Sequence, residues 1–339
     1  MFHAYNFDLQ TDSDGNFYFA KAGQYTNHHR PGTIMKIPPQ GGSATVVAWG
    51  IRTPNGMGKL NDDRFTVSDN QGPWMPAGKI SLIKQDAFLG NMPINKEQDQ
   101  WLRSKHGGEL PKTFDGPFIW MPQDVDNSCG GQLWVDDKRW GPLSGRLIHS
   151  SFGKGWLYYL SLQEIDGAMQ SSIVSLPHQW LAGVMRLRVN PADGQVYGTG
   201  LSGWQGPKGG KDGCLQRLRY TNLNVRMIEQ TKVVEGGLEL TFNFDVGDGS
   251  LEPKNWSVEM WDYQWSKRYG SDQFSVLKPG TKGRDKLRVQ KLVLRSPRTI
   301  FVSLPQLTTC DQLKVDLEIF DKNRKPFSET VHMTIHCTK

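Results

Sequence analysis

The feature that most constrains this chain is a recurring unit: a turn rich in Asp, Asn and Gly that runs straight into alternating apolar residues. It occurs at Asp12-Ser13-Asp14-Gly15-Asn16-Phe17-Tyr18-Phe19, Asn61-Asp62-Asp63-Arg64-Phe65-Thr66-Val67, Pro142-Leu143-Ser144-Gly145-Arg146-Leu147-Ile148 and Pro191-Ala192-Asp193-Gly194-Gln195-Val196-Tyr197. An Asp-Gly turn supplies the positive φ of a tight hairpin, and the run after it buries every second side chain as a strand does. Two of the intervals are about fifty residues, the length of one four-stranded propeller blade. The longer interval between the second and third copies holds an extra segment, about residues 88–125, rich in Gly, Pro and charge.

Composition agrees with strands. The 37 Gly and 19 Pro interrupt almost every window of a dozen residues, which leaves little room for long helices. The expected fold is therefore all-β: about four blades over residues 1–225, then a β-sandwich-like domain over 226–339. Thr221 to Glu235 reads as the connector. The second part carries candidate strands at Leu238–Phe244, Trp256–Tyr263, Leu287–Leu294, Thr299–Leu304, Leu313–Phe320 and Thr330–His336. Strand-like sequence begins within the first dozen residues, so upstream blades of a longer parent protein are expected.

The net charge of +6 is spread over both halves with no block of five like charges, which argues against nucleic acid as a partner. No apolar run is long enough for a membrane span, and no signal peptide opens the chain. Cys129, Cys214, Cys310 and Cys337 form no CxxC pair, so a thiolate zinc site is not expected; Cys310 and Cys337 could be bridged or could be free buried thiols.

Polar groups beside turns mark the candidate site. His3 has the side chain of a general base. Arg52, in Gly50-Ile51-Arg52-Thr53-Pro54-Asn55-Gly56, offers a rigid fork for a carboxylate or for developing negative charge. The turn Gln71-Gly72-Pro73 presents carbonyl oxygens of the kind that suit Ca²⁺. Lys154, Arg186 and Arg188 each place a cation near a strand end, and a channel ringed by such cations suits a polyanionic small molecule. Taken singly, His3 reads first as an ordinary histidine and each cation as a solvated surface charge, and structural turn chemistry explains Gln71-Gly72-Pro73 equally well.

In this order, Phe2-His3-Ala4-Tyr5-Asn6 with Asp14-Gly15-Asn16-Phe17-Tyr18, then Gly50–Gly58, then Asp69-Asn70-Gln71-Gly72-Pro73-Trp74 resemble the six-bladed propellers of soluble pyrroloquinoline quinone-dependent glucose and sorbosone dehydrogenases. They are closest to the large sugar dehydrogenase-like proteins of planctomycetes. The resemblance covers about residues 1–220 and implies a partial six-bladed β-propeller acting as a sugar or polyol oxidoreductase. It implies His3 as the general base, Arg52 at the reacting carbonyl, and Ca²⁺ on the carbonyls of Gly72 and Pro73. Gln71, Lys154, Arg186 and Arg188 would hold the quinone. It further implies a periplasmic or extracellular parent protein and a c-type cytochrome domain as electron acceptor. Two other readings stand beside it: a glycan- or protein-binding module without turnover, and a calcium-dependent lactonase-like hydrolase.

Overall fold

Short runs bounded by tight turns pair with their neighbours in sequence, and the chain accordingly forms a series of antiparallel meanders. The computed structural model describes residues 5–24, 29–202, 210–221, 223 and 225–338. The first sheet is β1 (Asn6–Thr11), β2 (Phe17–Lys21), β3 (Thr33–Ile37) and β4 (Thr45–Trp49). The second begins with β5 (Gly56–Lys59), β6 (Phe65–Asp69) and β7 (Gly78–Leu82). After it, β8 (Ala87–Phe88) returns to pair in parallel with β4, and helix α1 (Lys96–Lys105) leads to β9 (Ile119–Met121), which completes the second sheet.

The third meander is β10 (Cys129–Val135), β11 (Arg146–Ser151), β12 (Trp156–Ile165) and β13 (Ala168–Ser175). The fourth is β14 (Gly183–Val189), β15 (Val196–Leu201) and β16 (Gly213–Leu218). The first strands of successive sheets lie side by side, β1 against β5, β5 against β10, and β10 against β14. This is the radial arrangement of propeller blades, with each opening strand nearest the axis.

The sheets stick together through their faces. Ile34, Ala48, Ile51, Met57 and Val67 fill the space between the first two blades. Ile80, Ile119, Met121, Leu147, Leu160 and Ile173 fill the space between the second and third. Fully burying a side chain of this kind contributes roughly 1.5–3 kcal/mol, so these layers hold the blades at fixed angles.

The remaining strands are β17 (Ile228–Val234), β18 (Gly237–Phe242), β19 (Trp256–Tyr263), β20 (Gln273–Phe274), β21 (Asp285–Leu287), β22 (Lys291–Ser296), β23 (Thr299–Ser303), β24 (Cys310–Phe320) and β25 (Pro326–Ile335). One sheet runs β17-β18-β23-β22. Across from it, β25-β24-β19 carries β20 and β21 at its edge. Leu238, Leu240, Ile300 and Val302 of the first sheet share a core with Val258, Leu313, Val315 and Val331 of the second, as in a sandwich.

The second sheet does not stop at β25. Ser171, Ser172 and Ile173 of β13 pair with Thr334, Met333 and His332 of β25, so the third blade and the sandwich form one sheet of nine strands. The same core includes Tyr159, Val174, Val184 and Val196 from the blades.

Several sequence expectations shift. The stretch read as a connector contains β17. The segment about residues 88–125 contains α1, whose N-cap Asn95 side chain accepts from the Gln98 N–H at 2.9 Å. No disulfide forms, and all four cysteines are free. Cys310 lies opposite Ile335 in the β24–β25 register, which leaves Cys337 two residues further along the partner strand. An offset of two residues is about 6.6 Å along a strand, and the Cys310 thiol is buried in the core.

The close approach of blades is enforced by glycine. A Cβ on Gly56 would lie 2.3 Å from the Cα of Gly131 on β10. Gly56→Ala is expected to force β5 and β10 apart and to destabilise the fold by about 2 kcal/mol or more, read from the midpoint of urea unfolding with an unchanged m-value.

Candidate functional site

The turn entering β5 and the turn leaving β6 lie at one end of the second blade, and a buried carboxylate ties them together. Asp69, 1% exposed, accepts from the Arg52 N–H at 2.7 Å and the Thr53 N–H at 2.6 Å. It also accepts from the N–H of Asn70 at 2.9 Å. Burial pushes this carboxyl up, while Lys79 and the donated N–H groups pull it down without cancelling the rise.

Arg52 is clamped as a result. Its Nη1 donates to Thr53 Oγ1 at 3.0 Å and to the Gln71 carbonyl at 3.1 Å, and its guanidinium lies 5.5 Å from the centroid of the Tyr269 ring. Gly72 makes room for it, because a Cβ there would fall 2.1 Å from Arg52 Nε. The loop after β19 covers the turn: Gly270 N–H donates to the Gly72 carbonyl at 3.1 Å, and Pro73 bridges to Tyr269. Among the described residues Arg52 makes no close ion pair; its charge pulls on the buried Asp69, and the Gln24 amide oxygen, turned toward the fork, accepts from its Nη1 at 3.0 Å and Nη2 at 2.9 Å.

Beneath this turn sits Lys79, paired in register with Asp69 and 1% exposed. Its Nζ donates to the Leu89 carbonyl and faces the rings of Phe114 and Trp120 at 5.3 and 5.6 Å. Burial pulls the ammonium down to about 8, against the opposing pull of Asp69 and Asp115.

The other expected residues lie elsewhere. His3 falls outside the described residues. Arg186 and Arg188 of β14 turn toward the axis and pair with Asp8, at 3.3 and 3.4 Å. They are therefore held by a carboxylate of β1. Lys154 lines a separate crevice with Asp124, Tyr158, Lys314 and His332, so it does not join Arg52. The Gln71 side chain is engaged as well, donating to the Pro76 carbonyl at 3.3 Å.

At the turn expected to hold a metal, the Gly72 carbonyl is already engaged. It accepts from the N–H groups of Met75, at 3.0 Å, and Gly270, at 3.1 Å. Two donors occupy the two lone pairs that a cation would need.

Reading the sequence alone passes over Asp8, Asp69 and Tyr269. Asp8 is a non-glycine residue at φ 55°, in a bulge of β1, and its Oδ2 accepts from the Met57 N–H at 3.0 Å. That strained conformation aims a carboxylate at the axis, and nothing local in the sequence marks it. Asp126 and His149 form a second buried pair, 2.7 Å apart, with Ser151 Oγ donating to Asp126 at 2.5 Å. With Cys129 they make the cluster of potential metal ligands found among the described residues, closed on itself by hydrogen bonds.

No family model matches the chain, and no curated protein matches it. The solved structures that it resembles include glucose and aldose sugar dehydrogenases. One, from Thermus thermophilus and named as an oxidoreductase of the glucose dehydrogenase kind, shares 18% identity over 62% of this chain and 63% of its own, with a TM-score of 0.45. The aldose sugar dehydrogenase of Streptomyces coelicolor, in its PQQ-bound form, shares 16% over 63% and 62%, with a TM-score of 0.43. The soluble aldose sugar dehydrogenase of Escherichia coli shares 14% over 64% and 65%, with a TM-score of 0.42. The chain thus spans less than two thirds of the length of these proteins. No helix among the described residues is long and apolar enough to cross a membrane.

The buried lysine generates a pH signature. Between about pH 8 and the unfolded lysine value of about 10.4 the native state binds fewer protons than the unfolded chain, so Lys79 makes stability rise with pH across that window. The expected rise is roughly 3 kcal/mol at most. Lys79→Met is expected to remove it, visible as a wild-type-minus-variant difference in unfolding free energy that climbs with pH between 7 and 10.5.

Proposed function

We propose that this chain is a sugar or polyol oxidoreductase that uses pyrroloquinoline quinone at the blade end carrying Arg52. The observation that carries the reading is the guanidinium of Arg52, without a close ion pair among the described residues, held rigid by the neutral acceptors Thr53, Gln71 and Gln24 and lying beside the Tyr269 ring. A fixed cation of this kind suits an anionic ligand, and it suits developing negative charge on a reacting oxygen. The carboxylates of the quinone match it in charge. When bound, the quinone accepts the hydride.

Within that reading, the chain's own groups bind and orient. Arg52 would hold an anionic oxygen in place of the Gln24 amide oxygen, which accepts from its Nη1 and Nη2 at 3.0 and 2.9 Å. Asp69 fixes the Arg52 backbone, and Tyr269 shields one side of the guanidinium from water. His3 remains the proposed base for the substrate hydroxyl, and Lys154 a proposed second cation, although it lines a different crevice. No step is routed through Ca²⁺, because the Gly72 carbonyl is taken. A c-type cytochrome partner and a periplasmic or extracellular location belong to the same proposal.

The lactonase-like alternative needs a metal near the axis, where Asp8 is instead paired with Arg186 and Arg188. The binding-module reading draws support from the same saturation of polar groups, which would suit recognition without turnover.

The test is reconstitution of the whole chain with pyrroloquinoline quinone, with and without Ca²⁺, followed by dye reduction with a panel of aldoses and polyols. Quinone binding and aldose-dependent reduction are expected. Arg52→Ala is expected to lower the rate by about a hundredfold, the scale of one lost charge-stabilising donor, while leaving the melting temperature within a few degrees of wild type. A chain that neither takes up the quinone nor reduces dye is a binding module.

A further inference from the structure

A cavity of about 730 Å³ lies away from Arg52, between the third blade, the outer strand β16 and the start of β25. That is the size of an ordinary small-molecule site. Its walls are aromatic: Trp140, Tyr159, Trp180, Tyr220 and Phe327. They are fixed in place. Trp140 Nε1 donates to the Gly194 carbonyl at 2.7 Å, and Trp140 and Trp180 are both buried. Gly141 lets the Tyr220 ring approach, since a Cβ there would lie 2.7 Å from it.

Two polar groups inside this apolar shell lack adequate partners. The Tyr159 hydroxyl belongs to a residue only 3% exposed and makes no well-formed hydrogen bond, the nearest backbone donor being that of Ile228. The half-buried Glu329 carboxylate accepts from the neighbouring Thr330 N–H at 3.0 Å. Its burial pushes the carboxyl up to about 7. A buried polar group without a partner costs stability, and a ligand that supplies the partner recovers it.

The cationic groups around the cavity do not satisfy Glu329. Arg217 and Arg219 are exposed at its mouth, and Arg226 lies 3.4 Å from Asp321. The Glu329 carboxyl, which also lines the crevice holding Lys154 and Lys314 but makes no ion pair among the described residues, is left beside the aromatic walls. That combination recognises organic ammonium ions, because the ring quadrupole and the carboxylate both attract a desolvated cation.

We infer that this cavity is a binding site for an organic ammonium compound, an aromatic or alicyclic amine whose cation rests between Glu329 and the aromatic walls while its ring fills the apolar space. None of the residues proposed for oxidation lines it, so the inference stands apart from that reading.

The test uses the whole chain and a matched pair of probes, tryptamine and its uncharged counterpart tryptophol, by isothermal titration calorimetry at pH 8. Tryptamine is expected to bind at least about tenfold more tightly, a difference of about 1.4 kcal/mol. Glu329→Gln is expected to bring tryptamine down to the tryptophol level, with tryptophol binding unchanged. Tyr159→Phe is expected to weaken tryptamine a few-fold. Should Glu329→Gln fail to fold, Ser175→Trp, an exposed position on the cavity lining, fills the space and is expected to abolish tryptamine binding with a melting temperature close to wild type. Equal affinity for the two probes, no binding of tryptamine, or tryptamine binding unaffected by these substitutions overturns the inference.

Discussion

The pairing of β13 with β25 is the contact on which the rest of the structure depends. A blade's outermost strand leaves a row of unpaired N–H and C=O groups, and such an edge invites association with other chains. Here the third blade extends straight into the sandwich through Ser171, Ser172 and Ile173. The His336 and Cys337 N–H groups add to the seam by donating to Gln170 Oε1 at 2.9 and 3.0 Å. Because sheet and core run across the join, the sandwich is placed where its loop after β19 can reach the second blade. Tyr269 and Gly270 lie over Arg52 and Gly72 in this arrangement, with the loop fastened further by Trp74 N–H donating to the Ser266 carbonyl and Trp265 Nε1 to the Gly90 carbonyl.

Buried charge does the local positioning. Asp69 and Lys79 face each other on β6 and β7, and removing two ions from water is costly unless each finds compensation. Asp69 finds it in three N–H donors, and those donors are the backbone of the Arg52 turn and of Asn70. Lys79 finds it in the Leu89 carbonyl and two aromatic faces. The energetic need of a buried pair is thereby converted into a fixed geometry for the exposed turn above it. Asp8 does the same at the axis, where one carboxylate gathers Met57 of β5 and two arginines of β14.

How much of this was legible depends on the range of the interaction. Some strands of the sandwich could be read from alternation, Trp256–Tyr263 being β19 as found, whereas the expected strand Leu287–Leu294 is broken between β21 and β22. Helix α1 was legible in principle through Asn95 and Gln98, a capping pair, but the surrounding Gly and Pro masked a single helix of ten residues. Ser171 and Ser172 look like surface residues in a one-dimensional reading. They are buried because a strand more than 150 residues away lies beside them.

The sequence by itself determined the all-β class, the meander of each blade and the meeting of Arg52 with the Gln71 turn, because hairpin turns and period-two alternation act between near neighbours. Only the tertiary structure decided which polar groups remain available. Gly72 offers a carbonyl in any sequence reading, and it is Gly270, nearly two hundred residues later, that occupies it. Arg186 and Arg188 are cations in the sequence, and Asp8, reaching across the axis from the first blade, spends their charge. Desolvation and pairing are properties of the space around a group, and that space is built by parts of the chain that local pattern cannot see.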